Sequence, residues 1–213
     1  MIELLMRRRG MAEKPVIPVI EFVDDYVKAI CVANWGGSTG GSTHISGVAN
    51  EMTYQQAAAV SSFNATVFNN GSAIKDLSDL RHFTGVSSMP NKFLNNIRSL
   101  EKMVFPPNIT SITANNYTLA DCRNVTYAEF GTQVFTVNRN IIFEYVPPVV
   151  IFHTTTPPGL LKHSSYNSYL GRFNNATTKI YVPDSAVDTY KETWTVHANN
   201  IYSLNDYEGQ TYY

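Results

Sequence analysis

The chain has 213 residues, 44% apolar and 15% charged, with 13 Tyr, 11 Phe and a formal net charge of -1. That size allows one elongated domain with a small extra lobe, or two compact domains, and the apolar fraction is that of a folded chain. The near-zero charge leaves no electrostatic footprint for nucleic acid or an acidic membrane surface, and no apolar run reaches the ~18 residues of a spanning helix.

Residues 1–14 (MIELLMRRRGMAEK) place three adjacent arginines after a short apolar run, with no hydrophobic stretch behind them, so a secretory signal is not expected. Two readings of this segment stay open. It is a solvated tail, or it is an anchoring arm that orders on binding, with Leu4, Leu5 and Met6 docked on a partner subunit and Arg7, Arg8 and Arg9 against acidic groups. PVIPVIEF, from Pro15 to Phe22, is apolar and β-branched, but its two prolines restrict it to an edge strand or extended linker.

Asp24 to Asn34 reads as a short amphipathic helix capped by Asp24, with Tyr26, Ile30 and Ala33 at helical spacing. Residues 36–47 (GGSTGGSTHISG) read as a flexible surface loop, since neither a Gly-Lys-Ser/Thr ending nor a G-x-G-x-x-G order supports a phosphate loop. Met52 to Val60 follows as a second helix with Thr53 as N-cap. The pair makes a helix-loop-helix lobe over residues 23–76, behind an arm and extended segment at 1–22.

Residues 77–178 carry a repeat. Ile97, Leu100, Met103 and Phe105 fall on Cys122, Val125, Ala128 and Phe130, each pair 25 positions apart. One such unit cannot bury its apolar edge alone, so stacked neighbours are implied. The expected strands are short: Met103 to Phe105, Ile109 to Ile112, Val125 to Tyr127, Val134 to Val137, Ile141 to Tyr145 and Val149 to Phe152. Broken by Asn and Pro, they fit a solenoid better than a sandwich, which stays possible. Residues 179–213 read as a cap and tail. Pro183 ends a strand, Asp184 or Ser185 can cap a helix, and Val187, Tyr190 and Trp194 share a face that covers the last unit.

Several segments together resemble the BspA-like leucine-rich-repeat proteins of gut Bacteroidota, some other microbes and their phages. SLEKMVFPPNITSI from Ser99 and LADCRNVTYAEF from Leu119 are similar to the family's repeat, TTTPPGL from Thr154 to its last strand, and IYVPDSAVDTYKETW from Ile180 to its C-terminal cap. VKAICVANW, MTYQQAAAV and LSDLRHFTGVSSM resemble the segment that precedes these repeats, so the resemblance covers roughly residues 26–207. It implies a β-rich α/β fold: a short irregular leucine-rich-repeat solenoid with an N-terminal helical lobe and a C-terminal helical cap. In relatives the first interhelical loop often has calcium-type aspartates. Here those aspartates are absent, and Glu51 alone would not hold a hard cation.

No cofactor, metal or catalytic set is expected. The histidines, at 44, 82, 153, 163 and 197, lack metal-ligand spacing, and no G-x-S-x-G elbow occurs. Asp24 and Asp25 read more simply as a helix cap than as an acid-base pair. Cys31 and Cys122 read as buried apolar residues. Sequons at Asn64, Asn70, Asn108, Asn116, Asn124 and Asn175 are attributed to Asn and Thr at solenoid turns. Tyr117, Tyr127, Tyr145, Tyr166 and Tyr169 are candidates for contact with protein or glycan, each also open to a structural role.

The expected function is therefore non-catalytic binding or structure. One reading is a phage virion component, a fibre or capsid-decorating subunit anchored by the basic arm. The other is a bacterial cell-surface or secreted adhesion module that binds host protein or glycan. A glycan-binding accessory domain of an enzyme is a weaker third. The partner is a protein of a larger assembly or a host receptor, the chain itself being a homo-oligomer or part of such an assembly, with no nucleic acid and no membrane span.

Overall fold

The computed structural model describes residues 17–37, 49–69, 73–113, 117–138, 141–160, 168–172, 174 and 176–213. These form a mixed α/β fold with few helices and three parallel sheets, none closed into a barrel. The arm residues Leu4, Leu5, Met6, Arg7, Arg8 and Arg9, and most of the loop at 36–47, lie outside the described residues.

Helix α1 (Asp25–Trp35) starts where Asp24, in extended backbone, accepts the N–H groups of Tyr26 and Val27. Helix α2 (Tyr54–Ala59) starts on a complete capping box, Thr53 and Gln56 each satisfying the other's backbone N–H. The segment before α1 is extended, as its prolines require. It touches α2's entry through a single antiparallel bridge, Val19 to Thr53, and the Ile20 N–H bonds the Met52 carbonyl at 2.8 Å.

The large sheet has the order β1 (Asp76–Leu77), β4 (Lys102–Val104), β7 (Tyr127–Phe130), β10 (Val149–Phe152), β11 (Lys179–Val182), β12 (Ile201–Ser203). A second joins β2 (Ser88–Met89), β5 (Ser111–Thr113) and β8 (Thr136–Asn138), and a third β3 (Leu94–Asn95), β6 (Tyr117–Ala120) and β9 (Ile141–Phe143). The chain thus runs three times through the three sheets in the same order before adding β10 to β12 to the first. Met103 pairs with Ala128, Ser111 with Thr136 and Leu94 with Leu119, each 25 residues on, which is the offset of the sequence repeat.

Short strands follow from the breakers that flank them: Pro106 and Pro107 after β4, Pro147 and Pro148 before β10, Pro183 after β11. Several bounds differ from expectation. Strand β8 begins at Thr136 and leaves Val134 46% exposed, because Phe135 is the side chain that turns inward. Strand β7 runs Tyr127–Phe130, not Val125 to Tyr127, so that Ala128 and Phe130 line the core.

Inside, the core is a column of rings. Phe130 stacks on Phe105 at 4.1 Å, on Phe152 at 4.7 Å and on Phe135 at 5.0 Å. The column ends on helix α3 (Val187–Thr193), where Trp194 stands edge-on to Phe152 at 5.4 Å and Tyr190 lies 6.1 Å from it. At the other end Trp35, Phe63, Phe68, Phe83 and Phe93 join the helical lobe to the first strands. Gly85 permits this join, since a Cβ there would lie 2.4 Å from the Ala58 carbonyl oxygen at the end of α2. The expected cap by Asp184 or Ser185 is not made: α3 grows directly out of a 3-10 turn over Asp184–Ala186, whose own carbonyls and N–H groups make the junction.

Between successive passes, polar side chains at the bends bond the carbonyl one pass earlier. Ser99 Oγ donates to Ile74 at 2.7 Å, Asn108 Nδ2 to Thr84 at 2.8 Å, Asn124 Nδ2 to Arg98 at 2.7 Å and Thr126 Oγ1 to Glu101 at 3.1 Å. The Asn and Thr content, and two of the sequons, have this use. Backbone carbonyls at bends need donors, and these side chains supply them without a strand.

Candidate functional site

The outer face of the large sheet carries the site. Along β7, Ala128 and Phe130 face the core, so Tyr127 and Glu129 face outward by strand alternation. Both are nonetheless buried, Tyr127 at 7% exposure and Glu129 at 0%. What covers them is the chain's own end, which leaves β12 through a 3-10 turn over Leu204–Asp206 and returns across the sheet. Tyr207 packs between Tyr181 (4.9 Å) and Tyr127 (6.3 Å), and Tyr212 reaches Tyr127 at 6.2 Å. Beneath lie Val104, Ile151 and Tyr181, a second apolar cluster separate from the ring column.

A buried carboxylate needs donors from every side, and Glu129 has them. Tyr127 Oη donates to Oε2 at 2.5 Å, His153 Nε2 lies 2.6 Å from Oε1, and the Tyr212 backbone N–H is shared between the two oxygens at 2.9 and 3.1 Å. The His153 imidazole meets this carboxyl through Nε2, and which partner donates there follows from the imidazole tautomer. Burial, then the hydrogen bond to Glu129, raises the Tyr127 phenol well above its ordinary value, so it stays a donor.

The far end of the tail is clamped as well. Lys102 Nζ donates to Tyr212 Oη at 2.7 Å and pairs with Asp76 at 3.3 Å. Burial would lower the Lys102 pKa, but Tyr212 and Asp76 outweigh it and hold it raised. The Tyr212 ring lies under two cations, 5.1 Å from the Arg81 guanidinium and 5.2 Å from Lys102. Tyr213 donates its hydroxyl to the Phe105 carbonyl and stands edge-on to His153 at 5.7 Å. Burial raises the Tyr213 phenol too, with Glu129 adding to it.

A second surface feature lies on the bends after β3, β6 and β9. Asn96 and Asp121, 25 residues apart, both take left-handed backbone with φ of 62° and 55°. Asp121 accepts from Arg98 Nη2 and Arg123 Nε, each at 2.5 Å, and these hydrogen bonds, that from Arg98 first, hold its carboxyl below the ordinary range. Tyr145 sits between Arg123 at 5.3 Å and Arg172 at 5.2 Å. The result is a ridge of exposed guanidinium groups around the half-buried Tyr145 phenol, most of whose charge is already paired.

Of the tyrosines singled out from sequence, Tyr145 is on that ridge. Tyr169 is half-buried and stacks on Trp194 at 5.9 Å, a packing role. Tyr127 is a correction: it is not an exposed contact residue but lies under the tail, because the aromatic segment 207–213 covers it. Tyr166 and the Tyr117 side chain lie outside the described residues. Each described histidine has a partner: His82 beside Asp79 at 3.8 Å, His153 on Glu129, and His197 Nε2 at 3.2 Å from Ser168 Oγ. The Ser168 hydroxyl is fully buried and accepts the Leu170 and Gly171 N–H groups, which makes it a turn-fixing group. Glu51 forms an ion pair with Lys28 at 2.8 Å.

Among the described residues no three His, Cys, Asp or Glu side chains gather as a metal site, and no helix is long and apolar enough to cross a membrane. Comparisons of the chain with protein-family models, curated proteins and solved structures find no match. Glu129 was missed in sequence. Its signal was present, a lone carboxylate in the otherwise uncharged strand Tyr127–Phe130 and an aromatic tail, YEGQTYY, with no periodicity of its own.

Proposed function

We propose that the chain is a non-catalytic binding or assembly protein built on a short leucine-rich-repeat solenoid over residues 77–178, and that it is a phage virion component, a fibre or capsid-decorating subunit. The observation that carries the solenoid is the register: parallel pairs at an offset of 25, repeated in three sheets, with side-chain amides and hydroxyls bonding each pass to the one before. A scaffold of this kind holds its bends rigidly and offers them as a row. Binding surfaces built on repeats follow that pattern.

The virion reading rests on the family resemblance and on the Arg7, Arg8 and Arg9 arm as an anchor to an acidic surface. Fractionation tests it. An antibody to the chain should find it in particles purified on a density gradient, and deleting residues 1–14 should release it from them. Recovery in the cell envelope or medium instead would make it an adhesion module, and recovery only as free cytoplasmic protein would overturn both readings.

A further inference from the structure

We infer that the Glu129 seat is an interaction surface between copies of this chain: the segment Tyr207–Tyr213 of one copy docks on the outer sheet face of a second. The seat is specific for this segment, since it takes the Tyr212 N–H on a carboxylate, the Tyr212 hydroxyl on Lys102 and the Tyr213 hydroxyl on the Phe105 carbonyl. The anchors lie on β7 (Glu129), on β4 (Lys102) and on Phe105, the residue that follows β4, far from β12, where the segment leaves the sheet. Glu208, Gly209 and Gln210 are exposed, and among the described residues the Gln210 carbonyl, 3.2 Å from Tyr127 Oη, is their hydrogen-bonding contact with the face. Tyr207, packed between Tyr181 and Tyr127, is a further hold at the start of the segment, and the loosely held stretch is 208–210 within it.

Length permits the exchange. From β12 to β4 the segment crosses four strand spacings, about 19 Å at ~4.8 Å each. Residues 204–212 can extend to roughly 30 Å, so slack remains to reach a facing copy. Nothing in the seat distinguishes the chain's own tail from an identical one. Exchange of an identical element is a low-cost route to a two-fold dimer, opposed in the single molecule only by the high effective concentration of a short tether.

Two full-length variants test this by complementation. Glu129→Gln points amide N–H donors at the donors of the tail and spoils the seat while leaving the tail intact. Tyr212→Ala with Tyr213→Ala spoils the tail and leaves the seat intact. Each alone should run as a monomer by native mass spectrometry, close to the 23.8 kDa of the unsubstituted chain, and the equimolar mixture should give a species of about twice that mass. A mixture that stays monomeric while both variants melt cooperatively overturns the inference, as does a dimer formed by either variant alone. Should a variant fail to melt cooperatively, wild-type chain decides. Heavy- and light-isotope copies held near 1 mM, in the range of a short tether's effective concentration, should give cross-links joining residues 204–213 of one label to the sheet of the other. Cross-links confined to a single label overturn it.

Discussion

Asp24 and Lys75, 51 residues apart, meet at 2.7 Å, the backbone N–H of Lys75 donating to Asp24 Oδ2. The same oxygen accepts the Asp76 N–H at 3.1 Å, and the other oxygen accepts Tyr26 and Val27. One buried carboxylate thus caps α1 and satisfies N–H groups at the edge of β1, the first strand of the large sheet. An open edge of that kind would otherwise pair with another chain.

Replacing Asp24 by Ala removes both tasks. Loss of the cap costs about 1 kcal/mol, and the two stranded N–H groups of Lys75 and Asp76 add about 2 kcal/mol. Asp24→Asn, which keeps one acceptor oxygen, should cost about half of the total. Urea unfolding of the three proteins checks the order. Equal loss in both variants would mean that charge, and not acceptor count, is what the site needs.

Phe130 is the middle ring of the column, with Phe105, Phe135 and Phe152 stacked within 5.0 Å. Phe130→Ala leaves a cavity that neighbours on fixed strands cannot collapse into, for a loss of about 4 kcal/mol. Phe130→Leu should lose roughly 1.5 kcal/mol. Thermal melts measure both, and a loss under 1 kcal/mol for Ala would show that the column repacks.

Much of the architecture was legible because it is local or periodic. Thr53 and Asp24 announce their caps two or three residues ahead of the groups they bond, and the 25-residue offset of Met103 and Ala128 survives as strand register. What was not legible depends on contacts far apart in sequence. Glu129 and Tyr212 are 83 residues apart, and Tyr127 reads as exposed on its own strand until the tail crosses it. Strand bounds slipped by one to three residues where an apolar run offered two inward choices, as Val134 and Phe135 did. The sequence also placed the partner-binding residues on the arm, where no described contact bears on them.

Cys31 and Cys122 should be inert to thiol reagents in the native protein. Burial pushes both thiols up, Cys122 to about 11, and Cys122 Sγ sits 3.6 Å from the Leu94 and Ala120 carbonyls. The thiolate is the reactive form, so at pH 8 both should react at least about 100-fold more slowly than in urea. Fast labelling of Cys122 alone would mean that the third sheet opens locally.

His82 should make the protein less stable as the pH falls toward 4. Burial, then the Arg81 guanidinium, pushes its imidazole down to about 4 from an ordinary 6.5, despite Asp79 at 3.8 Å. Between those values the unfolded chain binds the proton and the folded one does not, so stability falls with pH across that window. Asp79 acts in the opposite sense, because burial raises its carboxyl: the folded state takes a proton first, and acid favours it. The two are separated by comparing wild type with His82→Gln. The difference between them should be flat above pH 7, change by on the order of 2 kcal/mol between pH 6.5 and 4 in favour of the variant, and level off below. A difference that is flat throughout would mean that His82 gains its proton in the folded chain as readily as in the unfolded one, with Asp79 and the edge-on Tyr54 ring at 4.8 Å stabilising the imidazolium.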